Sequence, residues 1–324
     1  MEFSAAPMEG LTGFVWRQIH HKYFGGADVY YIPFVSPTKE PKFTPRQMRE
    51  LSPEINKGLE IVPQLLTKDV AAFHWAALSL ADLGYREVNL NLGCPAGTVT
   101  AKNKGSGALR NPSELDDFLH EIFSLDLPIP ISIKTRIGWS DEAEFKNLAE
   151  IYSQYPIKRL IIHPRLKTDQ YKGMPREQVF SDFYEKFPFP LGWSGDVSTV
   201  EDASNLLLGF PNLEEIMIGR AIIGDPALFR KIKGGRPASK EELMNFYEEL
   251  LETFTVAFES QKNALMRMKE YWFYQLGLFE DGQKWMKPLV KSKSIEDYRG
   301  ILDRIFELPL RTNVYKTWFK PLNP

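Results

Sequence analysis

The chain has 324 residues, 43% of them hydrophobic and 25% charged, with a formal net charge of −2. That length buries a sizeable core in one large domain or two ordinary ones, and the near-neutral sum argues against a surface built wholly for polyanions while leaving room for a local basic face. A single cysteine excludes an internal disulfide framework and fits a reducing compartment; with no apolar run of transmembrane length and no signal peptide, the expected location is the cytoplasm, away from any membrane.

Short apolar runs alternate with amphipathic segments along the chain. Phe3–Pro7 reads as a strand and Gly13–Tyr23 as a helix, Asp28–Pro33 as a second strand, and Leu59–Leu66 as a third, followed by a helix over Asp69–Leu83. Arg86–Leu92 is the fourth strand and Pro112–Phe123 the next helix; Ile129–Thr135 is the fifth strand, with a helix across Glu142–Tyr152. Ile157–His163, Leu191–Trp193 and Leu213–Ile218 complete the strands, with a helix over Val200–Leu208 before the last. Eight strands with intervening helices, one unit per roughly 30 residues, predict a (β/α)8 TIM barrel. A doubly wound sheet shares the alternation, but the count and the lack of an early G-x-G-x-x-G favour closure.

Lys233–Ser239 has the Gly/Pro punctuation of a linker, and beyond it only helical spacing appears, over Glu241–Ser260, Asn263–Leu276 and Ile295–Phe306. The expected organisation is a barrel domain over 1–235 and a small all-helical C-terminal domain over 240–324. Trp75, Trp272, Trp285 and Trp318 lie in helical stretches and read as packing residues.

In a barrel the carboxyl ends of the strands converge on one face, where the chemistry sits. Here they carry Pro7-Met8-Glu9-Gly10, Gln64, Asn91 with Cys94, Lys134 with Arg136, His163 with Arg165, Ser194-Gly195-Asp196 and Gly219-Arg220. Cys94, in Asn91-Leu92-Gly93-Cys94-Pro95, stands where a strand breaks into a Gly-rich loop; taken alone it reads equally as a small buried hydrophobe. No carboxylates cluster, and one Cys with five scattered His makes a metal site unexpected. Glycines after the last two strands suit a phosphate held by backbone N–H groups, with Arg220 adding charge. Lys134, after an apolar run, suits a cofactor ring that gains negative charge on reduction, such as a flavin.

Together these segments resemble the tRNA-dihydrouridine synthase family. The similarity runs from Ala6-Pro7-Met8-Glu9-Gly10-Leu11-Thr12 through Gln64-Leu65 and Asn91-Leu92-Gly93-Cys94-Pro95 to Gly105-Ser106-Gly107-Ala108-Leu109. It continues through Lys134-Thr135-Arg136-Ile137-Gly138-Trp139, His163-Pro164-Arg165, Gly195-Asp196 and Met217-Ile218-Gly219-Arg220-Ala221, all in order. The resemblance implies an FMN-dependent, NADPH-consuming reductase of the C5–C6 double bond of specific uridines in tRNA. Separately from the resemblance, a monomer is expected. Pro7, Met8 and Gln64 would then contact the isoalloxazine ring, with Glu9 also at the cofactor, and Lys134 and His163 would lie near the ring's polar edge. Ser194, Gly195, Asp196, Gly219 and Arg220 would frame the phosphate. Asn91 and Arg136 would hold the uracil, with Arg165 nearby.

The resemblance also implies that hydride passes from FMN N5 to uracil C6, with Cys94 as the general acid at C5, a role that needs the thiol protonated. The loop over Ala96–Gly107, with three glycines, Lys102 and Lys104, would close over a base swung out of the RNA. Two residues depart from the family pattern: Ser194 stands where Asn is usual, and Thr67 follows Gln64-Leu65-Leu66 where Gly is usual. Lys262–Lys293 holds seven basic residues against three acidic ones, and the resemblance makes Arg267 and Lys269 candidate tRNA contacts on what is otherwise a solvated face. The other readings are an FMN oxidoreductase acting on a free pyrimidine and a flavin-free RNA-binding protein.

Overall fold

Pro63 sits inside the third apolar run, and it decides how the sheet is built. A computed structural model describes residues 1–314 and 316; Trp318 and the end of the expected helical region lie outside them. Nine strands form one sheet: β1 (Glu2–Ala5), β2 (Val29–Tyr31), β3 (Ile61–Val62), β4 (Gln64–Leu65), β5 (Val88–Leu92), β6 (Ile131–Gly138), β7 (Leu160–Leu166), β8 (Leu191–Ser194) and β9 (Glu215–Ile218). Their spatial order is β3-β2-β1-β9-β8-β7-β6-β5-β4, and the pairings are parallel. The two ends of that order are consecutive in the chain. A proline has no N–H for a ladder, so the run divides at Pro63. β3 pairs with β2, β4 pairs with β5, and a Val35–Leu65 bridge adds a rung. Counted as one strand, β3 and β4 close the eight-stranded barrel that the alternation predicts.

The helices are α1 (Phe14–Tyr23), α2 (Pro45–Leu51), α3 (Val70–Asp82), α4 (Gly97–Thr100), α5 (Pro112–Phe123), α6 (Glu144–Tyr152), α7 (Glu177–Phe183), α8 (Val200–Gly209), α9 (Arg220–Gly224), α10 (Leu228–Ile232), α11 (Lys240–Phe258), α12 (Gln261–Gln275), α13 (Met286–Lys291) and α14 (Ile295–Glu307). Several of their starts carry a side-chain cap. Asp69 accepts from the Ala72 N–H at 2.8 Å to open α3, and Thr44–Gln47 and Ser239–Glu242 form capping boxes on α2 and α11. Among the described residues no helix is long and apolar enough to cross a membrane.

Two compact units divide the chain. The first takes Met1–Pro7, Asp28–Asp196 and Leu206–Met217; the second takes Met8–Ala27, Val197–Asn205 and Ile218–Pro324. In the first unit, Ala6, Val29, Tyr31, Val62, Ile161 and Met217 form an apolar cluster within the barrel. Near the amino ends of the strands the buried Glu215 carboxylate accepts from Ser4, from Tyr31 at 3.2 Å and from Arg159, which also pairs with Glu2 at 2.5 Å. Burial pushes Glu215 up in pKa, and Arg159 opposes that. In the second unit the core is aromatic: Trp272 donates to the Tyr298 hydroxyl at 2.6 Å and packs against Tyr247, Phe279 and Phe306.

Two strands run further than their apolar residues do. β6 continues to Gly138 and β7 to Leu166, because the β6–β7 ladder persists through Arg136–His163 and resumes, after a register shift, at Gly138–Leu166. Arg136 and Arg165 are therefore strand residues with fixed directions, where the sequence reads them as the start of loops.

Candidate active site

Alternation along Val-Asn-Leu-Asn-Leu turns Asn89 and Asn91 to the barrel interior and its three apolar residues outward. The two asparagines join a head-to-tail series of side chains. Asn89 Nδ2 donates to Ser132 Oγ at 2.8 Å, Gln64 Nε2 to Asn89 Oδ1 at 2.7 Å, and Asn91 Nδ2 to Gln64 Oε1 at 2.7 Å. The series ends at the thiol turn, where Asn91 Oδ1 accepts from the N–H groups of Gly93 at 3.1 Å and Cys94 at 2.9 Å. Asn91 and Gln64, expected to touch uracil and flavin, are first of all parts of this support.

Cys94 is half-buried. Its carbonyl accepts from Ser106 through both N–H (3.1 Å) and Oγ (2.9 Å). Gly105, at φ +57°, lies so close that an added Cβ would meet the Cys94 carbonyl at 2.8 Å. The segment after the thiol is thus no open loop. It folds as α4 and a 3-10 turn over Gly105–Arg110, and Gly107 packs on Thr100 with equal tightness. On the other side, the buried Arg136 donates from Nε to the Gly93 carbonyl at 2.9 Å and from Nη1 to the Leu166 carbonyl at 2.8 Å. Two of the donors expected to reach uracil therefore brace the thiol turn.

Lys134 pairs with Asn91 across β5 and β6. Among the described residues its ammonium makes no hydrogen bond and no ion pair. Burial, with repulsion from Arg136, drops its pKa from 10.5 to about 8, against attraction from Cys94 and Glu215. A half-buried cation held without an anionic partner fits a ligand that brings negative charge, and a flavin meets that need.

His163 and Arg165 point inward from β7. Arg165 is fully buried and uses all of its N–H groups inside the protein. Nη1 donates to His163 Nε2 and Asp196 Oδ1, each at 3.1 Å; Nη2 donates to the Gly173 carbonyl at 2.6 Å and to Asp196 Oδ2; Nε donates to the Lys172 carbonyl at 3.2 Å. A guanidinium cannot accept, so His163 Nε2 does, and the ring proton sits on Nδ1. The expected nearness of Arg165 to uracil thus meets a guanidinium with no donor to spare. Asp196, expected at the phosphate, is its carboxylate partner, held at φ +46°. Ser194 ends β8, and the Gly195 carbonyl accepts from Trp193 Nε1 at 2.8 Å. Thr67 turns the chain toward α3 by accepting from the Asp69 N–H at 3.0 Å.

The remaining expected residues lie in the second unit, except Pro7, the last residue of the first unit's opening segment. Met8 and Glu9 lead into Gly10, whose φ is +81° and whose added Cβ would strike Arg267 Nη1 at 2.5 Å. Gly219 is the N-cap of α9, and Arg220 is its first residue. Arg267 pairs with Glu270, and Lys269 donates to the carbonyls of Val290 (3.2 Å) and Ser292 (2.5 Å). Both cations expected to grip tRNA are thereby bound into their own unit, and burial lowers the pKa of Lys269. Among the described residues no group of three or more His, Cys, Asp or Glu could hold a metal ion.

A profile described as dihydrouridine synthase (Dus) matches residues 4–294. The chain belongs to the dihydrouridine synthase family. It is 29% identical over 226 residues to tRNA-dihydrouridine synthase B of Pasteurella multocida, covering 69% of this chain and 67% of that protein. It is 26% identical over 255 residues to tRNA-dihydrouridine(16) synthase of Aquipseudomonas alcaligenes, covering 76% and 80%. Among solved structures it is similar to morphinone reductase at 13% identity and a TM-score of 0.49, over 74% of this chain and 87% of that one, too distant to bear on chemistry. As a dihydrouridine synthase the chain is a flavin-dependent oxidoreductase. Among the supports of its thiol turn, Ser106 lies in the Gly105–Leu109 stretch of the resemblance, whereas Asn89 and Ser132 carry no sequence signal of their own. Tyr171, whose ring lies 5.3 Å from the Arg136 guanidinium carbon, is equally silent.

Proposed function

We propose that this protein is a tRNA-dihydrouridine synthase that reduces the C5–C6 double bond of specific uridines in tRNA, with FMN as cofactor and NADPH as reductant. The observation that carries the reading is the half-buried Cys94 thiol on a turn braced by Asn91 and Arg136, with the unpartnered Lys134 ammonium on the strand beside Asn91. In this reading Lys134 and His163 hold the polar edge of the flavin. Pro7, Met8, Glu9 and Gln64 line its ring, and Ser194, Gly195, Gly219 and Arg220 hold its phosphate. When bound, the flavin supplies the hydride that adds to uracil C6. Cys94 keeps its proton until charge develops at C5 and then gives it up, as a general acid should. Asn91 and Arg136 keep the Cys94 turn in place, and their remaining N–H groups face the uracil. Arg165 with Asp196 fixes the ends of β7 and β8 and orients His163. The uracil leaves its stack to reach the thiol, and the helices α11 to α14 take part in holding the tRNA.

The test is direct. The purified protein is incubated with an unmodified tRNA transcript and NADPH, and its nucleosides are separated by mass spectrometry. A yellow protein that forms dihydrouridine in the transcript supports the reading. A colourless protein, or a yellow one that reduces free pyrimidines and leaves tRNA untouched, refutes it.

A further inference from the structure

Trp139 follows Gly138 at the end of β6, and two cations sit on its indole. The Arg110 guanidinium carbon lies 3.9 Å from the ring centre and Lys167 Nζ lies 4.3 Å from it. The two charges are therefore closer than a Debye length of about 10 Å at 0.1 M salt. One cation on an indole is an ordinary packing pair. A second one adds repulsion, and among the described residues neither cation has an acidic side chain paired directly with it to offset that.

The carboxylates around this corner are engaged elsewhere. Glu144 accepts from the N–H groups of Trp139 (2.5 Å), Ser140 (3.2 Å) and Asp141 (3.1 Å) and from the Ser140 hydroxyl (3.2 Å). Asp169 takes Arg176 and the Leu166 N–H, and Glu142 also takes Arg176. Among the described residues neither Arg110 nor Lys167 has an acidic partner. The platform is also rigid. The Trp139 carbonyl accepts from the Thr168 N–H at 3.0 Å, and the Gly138 carbonyl accepts from the Lys167 N–H at 2.9 Å.

Position adds to the case. Arg110 ends the 3-10 turn whose first residue packs on Cys94, Trp139 follows the strand that carries Lys134 and Arg136, and Lys167 follows the strand that carries His163 and Arg165. Cations resting over an aromatic ring, with no acidic partner of their own, suit the phosphates of single-stranded nucleic acid.

We infer that Arg110, Trp139 and Lys167 form a phosphate subsite on the rim of the barrel, in which the indole positions both cations to take the backbone phosphates of an RNA nucleotide next to the one drawn into the mouth. This rests on the tRNA reading and gives it a contact point apart from Arg267 and Lys269, whose charges are engaged within their own unit. A nucleotide phosphate could also come from NADPH, and the experiment separates the two sources.

Affinity for an unmodified tRNA transcript is measured by fluorescence anisotropy across a salt series for wild type, R110Q/K167Q, W139L and W139F. Reduction of the bound flavin by NADPH without tRNA is followed in parallel by its absorbance. The expected result is weaker binding by R110Q/K167Q with a log–log salt slope shallower by about 1–2, since each phosphate contact contributes about 0.7–0.9. W139L, which removes the ring that both cations rest on, should bind more weakly, W139F should recover most of that, and flavin reduction should not change. Wild-type affinity and slope in R110Q/K167Q, whose changes lie at or near the surface and spare the fold, would overturn the subsite while leaving the function intact. Slower flavin reduction with unchanged tRNA binding would also overturn it, by assigning the corner to the dinucleotide. A wild-type protein that binds no tRNA would sink the functional reading together with the subsite.

Discussion

Cys94 and Lys134 do different work, and substitution should separate them. Cys94→Ala removes a proton and little volume from a turn whose supports are all backbone or neighbouring side chains. Flavin content and tRNA affinity should hold, while turnover falls about 10²- to 10⁴-fold; unimpaired turnover would exclude the thiol as the acid. Lys134 is the opposite case. Below about pH 8 the flavin-free protein holds a half-buried charge without a partner, which the unfolded chain would hydrate more fully. The unfolded state binds more protons between pH 8 and 10.5, so this residue's contribution to stability rises with pH across that window. Lys134→Met should therefore stabilise the flavin-free protein at pH 7, on the order of 1–3 kcal/mol by denaturant titration, and weaken flavin binding. A less stable apoprotein, or unchanged flavin affinity, would contradict that account.

At the scale of elements, the segment after β5 shows what a glycine-rich stretch can hide. Gly105 takes a left-handed conformation against the Cys94 carbonyl, so Gly105→Ala should displace the thiol turn. The expected signature is a loss of turnover well beyond any loss of flavin, with a stability cost on the order of 1–3 kcal/mol; full turnover would show that the turn tolerates the change. Sequence reasoning reads this stretch as a flexible loop because glycine signals turns, and a four-residue helix has no period to detect. The same limit conceals Pro63, since Leu59–Leu66 is an unbroken apolar run and closure depends on which neighbour each half finds. By contrast α5 is legible to the residue, with Pro112 at its start and apolar residues at helical spacing. Cys94, Asn91 and Lys134 are legible because polar residues at strand ends are conspicuous. The full commitment of Arg165 is not, because Gly173 and Asp196 approach it through space. The start of α2 is a missed signal, as Thr44-Pro45-Arg46-Gln47 spells a capping box.

Across the whole molecule, acid should act on the second unit through His20. This ring is buried, stacks on Trp16 at 4.3 Å, and Nε2 donates to the Pro226 carbonyl at 2.9 Å. Burial drops its pKa from 6.5 to about 3. Between those values the unfolded chain takes up a proton that the folded ring refuses, so stability falls as pH falls, by up to about 1.4 kcal/mol per pH unit. The melting temperature should decline from pH 6.5 to 5 in the wild type and decline less in His20→Asn; equal slopes would place the acid sensitivity elsewhere. The same unit has a history written into its order of synthesis. Tyr23 of α1 bonds to Glu249 of α11 across 226 positions. A ribosome adding about 5–20 residues per second needs on the order of 10–45 s to bridge that gap. Val15, Trp16 and Ile19, buried once folding is complete, spend that interval waiting for helices not yet made, and a nascent chain stalled between the two would offer them to any chaperone at hand.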